Sequence, residues 1–369
     1  MRPNMQSLLH LLRARFPEPS LSDSHFSGLL DIADQENVLP YAAHRLRRLD
    51  IALTPAQRGH LEDIHRQLQL STFAWTETLK STLESFHRAN LPVITLKGPC
   101  LAERLYGDAA VRTCYDLDLL VRRGDVAPAE QLLTDLGFSP NGRADDYHRA
   151  WSRNKVNLEL HHNVENPHAF EFEVDSAWAR ATPSEFHGAP LWLMAPSDEL
   201  LYLCLHAVRH RFERLCLHLD LSLAFRRLGS PPAAVPRWAH PVFDNIFALG
   251  WMMAAQLDPE VPPLNQSRVS PAVRARLQML AGRLWQELMQ APPPTLDWVA
   301  QHRFYLEIEN PGWDRLRRRM RHQRILFTRL IDDDFTFAER FHLYRNWQVR
   351  LLRPVRLLIK RLRLAPKMP

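Results

Sequence analysis

Two aspartates alternate with apolar residues in one short segment, and this pattern could support metal chemistry. The segment 116–121 reads Asp-Leu-Asp-Leu-Leu-Val, which predicts a strand. Alternate side chains of a strand project from the same face, so Asp116 and Asp118 would lie together while the intervening leucine enters the core. Two carboxylates on an apolar strand need a counter-charge, and Mg²⁺ bound to substrate phosphates commonly supplies it.

A third carboxylate, Glu159, lies in a second predicted strand. In segment 156–161, Asn157, Glu159 and His161 share one face. If this strand pairs beside the first, about 4.8 Å away, Glu159 reaches the aspartates. Three carboxylates can hold two metal ions about 3.5–4 Å apart, which stabilises the attacking and leaving oxygens of a displacement at phosphorus. The sequence therefore predicts Asp116, Asp118 and Glu159 as ligands of two Mg²⁺ ions.

The motifs around these carboxylates resemble a known enzyme superfamily. Leu-Lys-Gly at 96–98, Arg-x-x-x-Asp-Leu-Asp-Leu-Leu-Val at 112–121 and Asn-Leu-Glu-Leu-His-His at 157–162 look like the polymerase-beta-type nucleotidyltransferases. Within that superfamily they resemble the uncharacterised nucleotidyltransferase family of bacteria, most clearly over residues 90–225. The resemblance implies that Gly98 is the turn residue that positions nucleotide phosphates, that Asp116 and Asp118 are catalytic metal ligands, and that Glu159 is the third carboxylate.

The turn departs from the superfamily pattern, in which Ser follows Gly. Here the turn reads Lys97-Gly98-Pro99. Lys97 could replace the missing hydroxyl with a point charge on the triphosphate, and Arg112 could offer a fork of donors to the same oxygens. We therefore expect Lys97, Gly98 and Arg112 to bind the nucleotide, and Glu159 either to bind the second metal ion or to take the acceptor proton.

Hydrophobic periodicity predicts the elements that must position these residues. Apolar spacing of three and four predicts N-terminal helices over 1–88, and β-branched runs alternating with helical patterns predict an α/β core over 89–180. Proline-dense connectors divide a helical bundle over 181–310, which precedes a basic helical arm over 311–369. Together with the resemblance, which implies a nucleotidyltransferase core, these elements make the expected fold α+β: a small mixed-sheet core flanked by N-terminal helices and a C-terminal helical bundle, with substrates in the cleft between core and bundle.

Composition excludes several classes of protein. Of the 369 residues, 46% are hydrophobic and 24% charged, which argues against disorder and against a membrane-embedded body. Neither the dinucleotide-binding Gly-x-Gly-x-x-Gly motif nor the phosphate-binding loop motif occurs. The four cysteines form no Cys-x-x-Cys pair, and no signal peptide or transmembrane run is apparent, so we expect reduced thiols and a cytoplasmic protein.

The basic residues concentrate at the C-terminus. Residues 311–369 carry 16 Lys and Arg against 5 Asp and Glu, a net charge of +11, so the preceding residues carry −5. An acidic body argues against a nucleic-acid groove, and no specific nucleic acid is expected as a partner. The arm forms an amphipathic stripe that we expect to pack on the bundle with its arginines in water; docking on an anionic membrane surface or on a partner is the alternative.

Basic residues after the core have less specific patterns. His206 and His210 stand four positions apart, a spacing that can bind zinc, although a structural or substrate-pocket role is favoured. Arg209, Arg211 and Arg214 are expected to form a solvated face, with contact to an anionic acceptor as the alternative. His161 is expected either to neighbour the carboxylate site or to be a hydrogen-bonded histidine at a strand end.

The predicted function is Mg²⁺-dependent transfer of a nucleoside monophosphate from a nucleoside triphosphate (NTP) to a hydroxyl acceptor, which could be a small molecule, sugar, peptide or protein. The alternative is a non-catalytic nucleotide- or partner-binding protein that keeps the fold. In that case it could be an accessory factor in the biosynthesis of surface polysaccharides or peptides.

Overall fold

The predicted carboxylate strands belong to a larger mixed sheet. Its strands are β1 (Ile94–Thr95), β2 (Leu117–Leu120), β3 (Ser139–Asn141), β4 (His148–Arg153), β5 (Val156–His161), β6 (Thr182–Phe186) and β7 (Ala189–Leu193). The strand order within the described residues is β3-β4-β5-β2-β1-β7-β6. Strand β2 pairs antiparallel with β1 and parallel with β5, so the two acidic strands are direct neighbours.

This computed structural model describes residues 2–142, 147–166, 169–228, 238, 240–264, 269–290, 298–310, 312, 337, 341, 351–352 and 355–356. The chain divides into two units, Met1–Ile308 and Glu309–Pro369. Every named element belongs to the first unit.

The N-terminal segment is helical, as its apolar spacing predicts. It contains α1 (Met5–Leu12), α2 (Asp23–Gln35), α3 (Leu39–Arg48) and α4 (Pro55–Arg88). The Ser22 side chain accepts a hydrogen bond from the backbone of His25, and Thr54 and Gln57 form a reciprocal capping box, so α2 and α4 begin where their first N–H groups find side-chain acceptors.

The remaining helices follow the first strand. They are α5 (Gly98–Tyr106), α6 (Val126–Asp135), α7 (Val174–Arg180), α8 (Pro196–Arg209), α9 (Leu215–Arg227), α10 (Val242–Leu257), α11 (Pro271–Gln290) and α12 (Trp298–Ile308). The described part of the molecule is therefore an α+β fold in which helices flank a mixed sheet.

Both faces of β2 are covered by apolar side chains. Leu117 and Leu119 are buried in a cluster with Leu83 of α4 and Leu133 of α6. Leu120 faces the other way and belongs to a cluster that includes α8 and α10. Because burial of each leucine stabilises the fold by about 1.5–3 kcal/mol, this alternation fixes the register of β2 and places Asp118 on the face covered by α8.

The sheet extends beyond residue 180, the predicted end of the α/β core. Strands β6 and β7 form an antiparallel hairpin, and β7 pairs parallel with β1. The proline-rich run that begins at Pro190 is typical of a connector, but in the structure Pro190 belongs to β7 and is the register partner of Glu185 in the edge strand β6. Helix α8 follows the hairpin and begins at Pro196, a residue type suited to the first turn of a helix.

The basic arm of residues 311–369 lies almost entirely outside the described residues. Its expected packing on the bundle and its alternative docking on a membrane or partner stay predictions. Among the helices of the described chain, none is both long enough and apolar enough to cross a membrane.

Candidate active site

Asp118 and Glu159 lie side by side on adjacent parallel strands. They are register partners between β2 and β5, so their side chains project from the same face of the sheet. Asp116 directly precedes β2, and its carboxylate is close enough to Asp118 and Glu159 for their charges to affect its titration. The structure thus brings together the three carboxylates that the sequence predicted as metal ligands.

Two basic side chains neutralise the buried Asp118. Lys97 Nζ lies 3.1 Å from Asp118 Oδ2, and His161 Nε2 lies 3.1 Å from Asp118 Oδ1. His161 Nε2 also lies 3.2 Å from Glu159 Oε2, so this imidazole bridges the two carboxylates. The His148 ring stacks on His161 with 5.1 Å between centroids, which fixes the orientation of the bridge.

These contacts shift the titration of the carboxylates in different directions. Burial alone would raise the pKa of Asp118, but Lys97 and His161 outweigh it and hold that pKa well below its usual range. Burial likewise opposes the ionisation of Glu159, and its hydrogen bond with His161 leaves the pKa lowered. Burial and the charge of Asp118 raise the pKa of Asp116, and the opposing charge of Lys97 does not outweigh them.

Arg112 is bound to a carboxylate that the sequence analysis did not assign to it. Its Nε donates to Asp220 Oδ1 at 2.9 Å and its Nη2 donates to Asp220 Oδ2 at 2.9 Å. Tyr106 Oη donates to the same Oδ1 at 2.6 Å. The guanidinium of Arg112, which was predicted to bind phosphate, therefore connects the loop before β2 to α9. A role for Arg112 in nucleotide binding stays a prediction.

A cavity of about 390 Å³ opens beside the carboxylates. Asp116 and Glu159 line it from the sheet, and Lys97 and Arg112 from the flanking loops. Tyr41 and Tyr115 contribute aromatic surface, and the end of α8 and the start of α9 supply basic groups. Its volume falls within the usual range for small-molecule sites, and it lies between the sheet and these helices, where the substrate cleft was expected.

A family model for uncharacterised nucleotidyltransferases matches residues 22–257, more than half of the chain. The protein belongs to the uncharacterised nucleotidyltransferase family. This match covers the sheet, the carboxylates and helices α2 to α10. No curated protein matches the chain.

Two solved structures are similar to part of this nucleotidyltransferase family member. The crystal structure of ANT(2")-Ia in complex with adenylyl-2"-tobramycin has 12% identity and a TM-score of 0.30, covering 57% of this chain and 97% of that one. The structure of an antigenic nucleotidyltransferase-like protein from Paracoccidioides brasiliensis has 18% identity and a TM-score of 0.36, covering 51% of this chain and 90% of that one. At such low similarity, family membership rests on the family match.

Among the residues that the structure describes in this nucleotidyltransferase, one group could hold a metal ion. Ligand atoms of Asp118, Glu159 and His161 all lie within 4.8 Å of one another. Carboxylate oxygens suit hard divalent cations, and an imidazole nitrogen suits softer ones better. The two carboxylates are therefore the more suitable ligands for a hard ion, and His161 is placed to orient both of them.

Gly98 occupies the turn between β1 and α5 and requires a glycine conformation. Its φ is +71°, in the left-handed region. An added Cβ would meet Leu117 Cδ2 at 3.5 Å and the Asp116 carbonyl oxygen at 3.7 Å, which are ordinary contacts. The backbone conformation, and not lack of space, therefore selects glycine here.

We expect Gly98→Ala to lower the free energy of unfolding by about 1–2 kcal/mol, because an alanine must adopt the left-handed conformation. Urea unfolding followed by circular dichroism measures this loss. Gly59→Ala is a matched control: Gly59 lies in α4 with nothing within 4 Å of its added Cβ, so alanine should stabilise the helix by up to about 1 kcal/mol. Equal effects of the two substitutions would contradict the argument from the backbone.

Two histidines after the core lie where a substrate-pocket role would place them, whereas Arg209 differs from the expected solvated face. His206 and Arg209 lie at the end of α8 and His210 directly follows it, and all three line the cavity. Arg209 is therefore not part of a solvated face, whereas Arg211 does not line the cavity. The sequence shows that Arg209 and His210 stand three and four positions after His206. It does not show which element covers this face of α8.

Proposed function

We propose that this protein transfers a nucleoside monophosphate from an NTP to a hydroxyl acceptor, with Mg²⁺ as cofactor. The acceptor hydroxyl belongs to a small molecule, sugar, peptide or protein. The observation that chiefly supports this is the in-register pairing of Asp118 with Glu159, beside a cavity that Asp116 and Glu159 line. Membership of a nucleotidyltransferase family supports the same reaction class.

Asp116, Asp118 and Glu159 would hold the magnesium, because their carboxylate oxygens are the ligands that Mg²⁺ prefers. An ion held there would supply positive charge to the phosphates and favour in-line displacement. Lys97 is paired with Asp118 and lines the cavity, so its ammonium group can also approach a phosphate oxygen. Gly98 shapes the turn that carries Lys97.

In the transfer, the acceptor oxygen bonds to the α-phosphorus and the bond from that phosphorus to the β-bridging oxygen breaks. Pyrophosphate leaves with the bond electrons. Glu159 is ionised, because its pKa is lowered, and lines the cavity, so it can take the acceptor proton if it does not bind a second ion. The protein's contribution is mainly to position the reactants and to stabilise the developing charge.

Isothermal titration with MgATP, MgCTP, MgGTP and MgUTP tests the proposed site. We expect the wild type to bind one or more of them, and Asp116→Asn/Asp118→Asn to bind about 10²-fold more weakly or worse, since each charged contact contributes about 1.5–3 kcal/mol. Asp135→Asn, on the exposed end of α6, should bind like the wild type.

Unchanged binding by the double variant would contradict the assignment of the carboxylates. Normal binding without transfer of label to any component of a host extract would instead favour the non-catalytic nucleotide-binding alternative.

A further inference from the structure

Basic residues at the end of α8 line the same cavity as the proposed metal ligands. Arg209 is the last residue of α8, His210 follows it, and Arg214 immediately precedes α9. All three line the cavity together with Asp116 and Glu159. One cavity therefore contains an acidic group of residues from the sheet and a basic group from these helices, and the proposed metal-dependent function does not use the basic group.

Arg209 differs from three other partly buried arginines in this fold, which bind carboxylates directly. Arg104, Arg112 and Arg180 each bind one carboxylate through two nitrogen atoms, with Glu199, Asp220 and Asp198 as the partners. Arg209 Nη1 instead donates to Tyr147 Oη at 3.1 Å, and within the described part of the chain no carboxylate oxygen lies within 4.0 Å of its side-chain nitrogens. A hydroxyl orients the guanidinium but supplies no counter-charge.

The buried Glu165 carboxylate is near enough for its charge to raise the pKa of Arg209, but it makes no direct ion pair with the guanidinium, and no other described side chain around Arg209 does. Arg209 Nη2 lies 3.4 Å from His206 Nδ1, which therefore acts as acceptor. Burial, reinforced by the charges of Lys97 and Arg209, lowers the pKa of His206 well below its ordinary value, so this imidazole is neutral. Glu213 lines the cavity, but its Oε1 lies 3.7 Å from His210 Nδ1 and so faces that histidine.

We propose that Arg209, with His206 and His210 beside it, binds the terminal phosphates of the NTP. A guanidinium fork matches two phosphate oxygens, and an anionic ligand in the cavity would supply the direct ion pair that no described carboxylate makes with Arg209. The α-phosphate would then face the carboxylates, and the leaving pyrophosphate would stay in contact with Arg209. This assignment rests on the proposed function, because it places the reacting phosphate at Asp116, Asp118 and Glu159.

Titration calorimetry with inorganic tripolyphosphate, AMP and the four MgNTPs tests the subsite. We expect Arg209→Gln to weaken binding of tripolyphosphate and of the bound MgNTP by about 10- to 100-fold, the effect of losing a hydrogen bond to a charged group. AMP lacks the terminal phosphates, so its affinity should change less than about twofold. Arg209→Lys should recover part of the loss because it keeps the charge.

Arg211→Gln is the matched control. Arg211 lies two positions further along the chain, has its Nη2 3.5 Å from Glu287 and does not line the cavity, so its replacement should leave every affinity unchanged. Tyr147→Phe removes the hydroxyl that orients Arg209 but keeps the charge, and should weaken tripolyphosphate binding less than Arg209→Gln does. Thermal unfolding of each variant separates loss of binding from loss of fold.

The outcomes distinguish this subsite from the proposed function. The subsite is overturned if wild type and Arg209→Gln bind tripolyphosphate equally, or if neither binds it. This holds even when MgNTP binding depends on Asp118. A normal MgNTP affinity in Arg209→Gln with slower transfer of label also overturns it, and assigns Arg209 to an anionic acceptor. Arg209-dependent binding of tripolyphosphate without any MgNTP binding supports the anion subsite and overturns the proposed function.

Discussion

Asp118→Asn is expected to slow nucleotidyl transfer by about 10³-fold, since loss of a metal-ligand charge removes several kcal/mol of transition-state stabilisation. The amide has nearly the volume of the carboxylate, so the packing of β2 should be kept. Asp116 and Glu159 still oppose the positive charges of Lys97 and His161 after the change, so we expect the fold to survive. The measurement is transfer of label from an α-labelled NTP to a product in host extract.

Asp135→Asn controls for replacement of a carboxylate by an amide. Asp135 lies at the exposed end of α6 and accepts a hydrogen bond from Gln131 at 2.9 Å, so its variant should transfer label at the rate of the wild type. Thermal unfolding of both variants checks the fold. A rate for Asp118→Asn within about threefold of wild type would rule out Asp118 as a ligand of a catalytic ion.

The local elements of the site could be predicted from the sequence because alternation along a strand determines which side chains share a face. Asp118 and Glu159 each stand between leucines, and those leucines are buried. That β5 lies beside β2 was stated only as a condition, since no local pattern specifies which strands pair. The structure meets this condition through the register of the two strands.

Features that depend on distant parts of the chain could not be predicted in this way. Arg112 binds Asp220, which is 108 positions away, and no local pattern links the two residues. Pro190 of β7 begins a proline-rich run that is typical of a connector, and no local pattern indicates that this segment pairs with β6 as a hairpin. Arg209 was expected in solvent, since the sequence does not show which element covers the end of α8.

The buried contact between Arg112 and Asp220 gives the second large expected effect, on stability. Their side chains are 15% and 8% exposed, and Asp220 also accepts the hydroxyl of Tyr106. We expect Arg112→Gln to lower the free energy of unfolding by about 3–5 kcal/mol, because it leaves the Asp220 carboxylate buried without its ionic partner. Urea unfolding measures this loss.

Arg226→Gln is the control, because Arg226 lies on α9, the helix that also carries Asp220. Arg226 of α9 has Nη1 3.1 Å from Asp258 Oδ2, but its side chain is 43% exposed, so losing this pair should cost less than about 1 kcal/mol. A double-mutant cycle with Arg112→Gln and Asp220→Asn should show strong coupling, since each single change leaves the other partner uncompensated. The opposite result would be a loss of less than about 1 kcal/mol in the free energy of unfolding of Arg112→Gln, together with weaker MgNTP binding. That result would show that Arg112 leaves Asp220 to bind phosphate, as the sequence analysis predicted.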